Sequence, residues 1–236
     1  MNDVYRPGNK RPWYALKAQE YDRAAELYIY DYIGYGGLTA KDFVEDLSLL
    51  PPVDEIKIFI NSNGGDAHEG LAMYNALKRR SERKVVYIDG IAASIASVVA
   101  MAGDHVVMPE TANMFVHKPW TLTAGNADDL QHTADGLDKI EAAIVAAYIA
   151  KSGRTAEEIK ALMSNDTTLT AIEAKELGLI DEIGELKARS AEAVYATILY
   201  GRVMCAAMKK HEVNMDNVET NKPAVATVAT GTATVV

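Results

Sequence analysis

The stretch Val85-Val86-Tyr87-Ile88-Asp89-Gly90-Ile91-Ala92-Ala93-Ser94 decides how this chain is read. β-Branched and aromatic residues over 85–88 predict a strand, Asp89-Gly90 predicts a sharp turn, and Ser94 opens a helix that runs to about Ala102 and stops at Gly103. A serine at a strand-turn-helix junction faces free N–H groups and the positive end of the helix, which is the placement an oxyanion-forming nucleophile needs. Serine is also a common helix cap, and this segment alone leaves both readings open. Ala92 and Ala93 leave room beside Ser94 for a substrate chain.

The same plan recurs upstream. Residues 27–33, rich in Tyr and Ile, predict a strand ended by Gly34, Gly36 and Gly37. Thr39 with Asp42 opens a helix whose apolar stripe is Phe43, Val44, Leu47 and Leu50, and Pro51-Pro52 ends it. Ile56, Ile58 and Ile60 alternate as a strand, Asn61-Ser62-Asn63-Gly64-Gly65 turns, and a helix covers about 68–80. Downstream, short strands are expected at 106–108 and 114–117. A long amphipathic helix is expected at 126–151, with Leu130, Leu137, Ile140, Ile144 and Tyr148 at helical spacing. Thr155 with Glu158 and Thr170 with Glu173 are two more capping boxes, and Gly178 is a helix-ending glycine. Repeated strand-turn-helix units predict an α/β protein whose site lies in loops at strand ends. The expected organisation is an N-terminal arm over 1–24, the main domain over 25–185, a helical extension over 186–212 and a flexible low-complexity tail over 213–236.

Composition narrows the classes. The 236 residues carry 24 Lys plus Arg against 33 Asp plus Glu, a net charge of −9, which argues against binding nucleic acid through phosphate neutralisation. The single Cys205 rules out an internal disulfide framework and a cysteine-rich zinc site, and fits a reducing compartment. The polar N-terminus lacks the apolar run of a secretory signal, and the uncharged stretch 90–103 is too short and too polar to span a bilayer. A soluble, cytoplasmic protein is expected.

A serine nucleophile needs a base, because a hydroxyl attacks poorly near neutral pH. Of five histidines, His68 and His132 fall on expected helices, His105 in a turn and His211 near the tail. His117 ends the apolar strand Met114-Phe115-Val116 and precedes Lys118-Pro119, at a strand edge opening into a loop. Taken alone it is structural or catalytic. Gly64-Gly65 is a plain tight turn or a close backbone approach to a ligand. No phosphate loop or dinucleotide fingerprint follows it.

Four motifs stand in order: Asn61-Ser62-Asn63-Gly64-Gly65, Gly90-Ile91-Ala92-Ala93-Ser94, Met114-Phe115-Val116-His117-Lys118-Pro119, and Asp166 before Leu169-Thr170-Ala171-Ile172-Glu173-Ala174. This resembles the Clp protease (ClpP) family of serine peptidases over roughly 27–183, and Gly178-Leu179-Ile180-Asp181 matches the family's ending. The resemblance implies a ClpP/crotonase-like α/β fold with a protruding long helix. It implies a triad of Ser94 as nucleophile, His117 as general base and Asp166 as its orienting acid, with the N–H groups of Gly65 and Ile95 as the oxyanion hole. Neither a metal nor an organic cofactor is called for. It also implies a homo-oligomeric ring, the 126–151 helix making contacts between rings.

Departures from the family's pattern refine the resemblance. Asn63 stands where the family usually has Pro, and Ser97 is a rival nucleophile one helical turn beyond Ser94. The arm lacks the usual loop for docking an unfoldase, and the chain extends past residue 185. These features resemble the ClpP-related head maturation proteases of tailed phages, which process scaffold or capsid protein without an unfoldase. That likeness implies an ATP-independent endopeptidase of the host cytoplasm or procapsid interior, acting on protein and not on nucleic acid or membrane. The competing readings are a housekeeping subunit working with an unfoldase, a crotonase-fold acyl-CoA enzyme, and an assembly subunit without turnover.

Overall fold

The structure is a computed structural model that describes residues 14–19, 22–50 and 52–184. The helical extension and tail expected beyond residue 185 lie outside the described residues, as does most of the expected N-terminal arm. Part of that arm is a strand instead. Tyr14–Gln19 (β1) pairs antiparallel with Asp22–Ile29 (β2), so the sheet begins before the first alternating apolar run.

Among the described residues, eight strands form one sheet, mostly parallel, six of them in the order β1-β2-β3-β4-β5-β8. The parallel strands are β2, Glu55–Ser62 (β3), Arg83–Ala93 (β4), His105–Met108 (β5) and Glu182–Ile183 (β8). Alternation explains β3: Ile56, Ile58 and Ile60 point to the core with no exposure, while Lys57 and Phe59 face the other side, partly exposed. On that other face the rings of Tyr28, Phe59 and Tyr87 stack across β2, β3 and β4 at centroid distances of 5.0 and 5.1 Å.

Helices Ala40–Ser48 (α1), Ala67–Lys78 (α2) and Ile95–Ala100 (α3) contribute to the core beside the sheet. Thr39 caps α1 through Asp42 N–H, and Asp66 caps α2 through the N–H groups of His68 and Glu69. Every residue of α3 is buried, the polar Ser97 included.

The expected turn at Asp89-Gly90 is not a turn. Strand β4 continues through it to Ala93, and its register with β3 shifts between Ile60↔Ile88 and Ser62↔Ala92. Gly90 therefore marks a bulge, where the Asn61 side chain packs into the space a Cβ would take. The first half of β4 pairs with β5. Beyond the bulge, residues 91–93 pair parallel with Asn113–Val116 (β6). A further strand unread in the sequence, Thr167–Leu169 (β7), pairs antiparallel with β6.

The remaining helices are Ala127–Ser152 (α4), Ala156–Ser164 (α5) and Ala171–Glu176 (α6), each starting with a complete capping box, at Asn126, Thr155 and Thr170. The first half of α4 has no fully buried residue, whereas Ile144, Val145 and Tyr148 in its second half pack into the core. Among the described residues no helix is long and apolar enough to cross a membrane.

Candidate active site

Strand register brings the expected residues to one place. The last pair of β4 with β6 is Ala93↔Phe115, so Ser94 leaves β4 beside the end of β6, where His117 follows Val116. The last pair of β6 with β7 is Val116↔Thr167, so Asp166 stands one step further on, opposite His117. Three separate segments meet because β4 bends at its bulge away from β5 and toward β6.

Ser94 occupies the cap position of α3, yet its side chain makes no capping hydrogen bond. Its Oγ lies 2.7 Å from His117 Nε2. Its backbone adopts φ 53° and ψ −131°, a region that residues with a side chain rarely visit, and strain of this kind clusters at functional sites. The Ser94 N–H donates to Phe115 O at 2.8 Å, which fixes the strained turn against β6.

The His117 ring stacks on Phe115 at 5.1 Å and is partly buried. Burial lowers its pKa below the ordinary value, and the smaller opposing influence is the negative charge of Asp166, which raises it. Burial therefore favours the neutral imidazole, the form a general base requires. Asp166 is exposed, sits at a left-handed φ of 48°, and among the described residues makes no hydrogen bond to His117. It acts on the ring through charge alone in this arrangement. Next to His117, the Lys118 ammonium pairs with the buried Glu141 carboxylate of α4 at 3.4 Å.

The glycine turn lies against the nucleophile. A Cβ on Gly64, whose φ is +87°, would come within 2.6 Å of Ala93 O and 2.8 Å of Ser94 Cβ. One on Gly65 would overlap Ile33 O at 2.0 Å. Only glycines let this turn approach so closely. The neighbouring amides are committed, Gly64 N–H to Ser62 Oγ and Asp66 N–H to Ile33 O. Ile95 is the first residue of α3, so its N–H has no acceptor within the helix. Gly64 thus lies against Ser94 with Gly65 next to it in the glycine turn, while Ile95 follows Ser94 at the start of α3.

Ser97, the rival nucleophile, is fully buried and donates to Ser94 O at 2.5 Å, so it is not available to a substrate. It also contacts the Tyr148 hydroxyl at 2.6 Å. Helical spacing placed Tyr148 on the apolar stripe of α4, and no spacing signal reveals its polar partner. His68 is exposed on α2 and His132 on α4, while His105 pairs with Glu182 at 3.0 Å. Among the described residues no group of three His, Cys, Asp or Glu side chains is gathered to hold a metal.

Residues 23–187 match the sequence profile of the Clp protease family. The chain is 33% identical over 140 residues to the ATP-dependent Clp protease proteolytic subunit of Bacteroides fragilis (strain ATCC 25285), covering 58% of this chain and 67% of that protein. It is 31% identical over 140 residues to the subunit of the same name from Bacteroides thetaiotaomicron, covering 63% of that protein. The chain thus spans about two thirds or less of the length of these relatives. Among solved structures, an Asn-to-Asp mutant of ClpP1 from Listeria monocytogenes superposes with a TM-score of 0.61 at 25% identity, covering 69% of this chain and 92% of that one.

Proposed function

The chain belongs to the Clp protease family and is a serine-type endopeptidase, and from that premise we propose that Ser94, His117 and Asp166 carry out its reaction. The observation that carries this reading is the 2.7 Å contact between Ser94 Oγ and His117 Nε2. His117 takes the hydroxyl proton as Ser94 attacks the peptide carbonyl, and returns it to the leaving amine. Water then resolves the acyl-enzyme by the same route. The N–H groups of Gly65 and Ile95 receive the oxyanion. Asp166 stabilises the imidazolium and orients the ring, its hydrogen bond forming as substrate tightens the site. No cofactor takes part.

For the substrate, we propose phage scaffold or capsid protein, cleaved during head maturation without ATP. The extension past residue 185 and the departures from the family's docking arm support this reading. The subunits assemble as a homo-oligomeric ring of about six or seven copies. They work in the host cytoplasm or procapsid interior. The names of the Bacteroides relatives favour a second reading, a subunit of an ATP-dependent protease.

Co-expression separates the two. This chain is produced together with the coat and scaffold proteins of a tailed phage, with and without Ser94→Ala, and products are read by mass spectrometry. Fragments that depend on Ser94 and need no ATPase support head maturation. Intact coat and scaffold, with cleavage of other proteins only when an unfoldase is supplied, would establish the second reading.

A further inference from the structure

Behind the nucleophile lies a buried polar link that the reaction as described does not use. Ser97 has no exposure and Tyr148, from α4, has 2%. A serine hydroxyl has one proton to give. Ser97 Oγ donates it to Ser94 O at 2.5 Å, so at the 2.6 Å contact it accepts from the Tyr148 hydroxyl. Burial raises the Tyr148 pKa, which keeps that hydroxyl a neutral donor. The Ser94 carbonyl also takes the Ser97 N–H at 3.0 Å, and the Ser94 N–H is held by Phe115 O. Both peptide units around Ser94 are therefore tied down, and a strained φ,ψ persists only where its surroundings over-determine it.

We propose that Tyr148 is a positioning residue for peptide hydrolysis: by donating to Ser97 Oγ it locks that hydroxyl onto the Ser94 carbonyl and holds the nucleophile in its strained turn facing His117. The inference rests on the reading of Ser94 as nucleophile. Without the Tyr148 donor, Ser97 Oγ is free to swing toward Phe115 O, 3.5 Å away. The Ser94 backbone then relaxes toward an ordinary helix start and carries Oγ off the imidazole.

The test compares the full chain with Tyr148→Phe, Ser97→Ala and the double variant. Tyr148→Phe keeps the ring and its packing, and Ser97→Ala is small enough to fold should the first variant not. Two quantities are read: kcat and KM on an extended peptide, and the rate at which a fluorophosphonate labels Ser94. Each single variant should lose about tenfold to a hundredfold in kcat and in labelling rate, with KM unchanged. The double variant should be no worse than the weaker single, since the two hydroxyls act as one unit. Wild-type kcat in both singles, a loss confined to KM, or additive losses would overturn the inference. Labelling of Ser94 at equal rates in wild type and Tyr148→Phe would overturn it while leaving the nucleophile intact. No labelling of wild type at Ser94 would overturn both.

Discussion

The proposed chemistry turns on the contact between Ser94 and His117, in which each is worth little without the other. A hydroxyl is activated only while the imidazole accepts its proton, so Ser94→Ala or His117→Ala should each lower kcat by roughly 10⁴-fold or more. Combining them should cost little extra, and clearly additive losses in steady-state kinetics would mean that the two do not share a mechanism. The pH profile has a defined sign. Because burial depresses the His117 pKa, the acid limb of kcat/KM should fall below 6.5, the ordinary histidine value. Asp166 opposes that depression, so Asp166→Asn should move the limb to still lower pH, reduce kcat less than the loss of His117, and leave the fold intact. A limb that moves upward would contradict the charge interaction. Ser94 and His117 were each ambiguous in their own segments and became candidates only through the order of four motifs along the chain; the structure brings their side chains into contact. Asp166 was found through its motif, but its exposure and its lack of a hydrogen bond to His117 depend on where β7 lies, which no local pattern encodes.

Elements position these side chains, and here the sequence was legible wherever the signal is short-range. The caps at Thr39, Thr155 and Thr170 stand as read, since a cap needs only residues three apart. Strands β7 and β8 have three and two residues, too few for alternation to register, and are held by pairing with distant segments. Gly90 misled for a related reason: the same glycine permits a turn or a bulge, and the neighbouring strand decides. Thr39→Ala should remove the bond to Asp42 N–H and cost about 1 kcal/mol, seen as a Tm lower by about 2–4 °C with activity retained. Gly64→Ala should do more. Its methyl group would press on Ala93 O and Ser94 Cβ in a left-handed conformation, costing about 1–3 kcal/mol. The strain falls on the turn that carries Ser94, so acylation should fail in protein that is still folded, as circular dichroism and labelling together would show. Full activity in Gly64→Ala would mean that the close approach of this turn does not matter to the reaction.

Across the whole molecule, the sheet supplies a rigid floor and the site sits where β4 changes partners. The α/β class was evident from repeated strand-turn-helix units, whereas the split of β4 between β5 and β6 was not. The exposed first half of α4 carries Leu130 into solvent in the isolated subunit. Assembly through that helix predicts a light-scattering mass several times 25.6 kDa at micromolar concentration, and a monomeric mass would contradict it. The central claim is that one hydroxyl among many is deprotonated beside two main-chain donors, and covalent trapping tests it most directly. Treated with a fluorophosphonate and mapped by mass spectrometry, the wild-type chain should carry a single adduct on Ser94, absent after His117→Ala. An unlabelled wild-type chain, or an adduct on Ser97 or another serine that survives the loss of His117, would contradict the account.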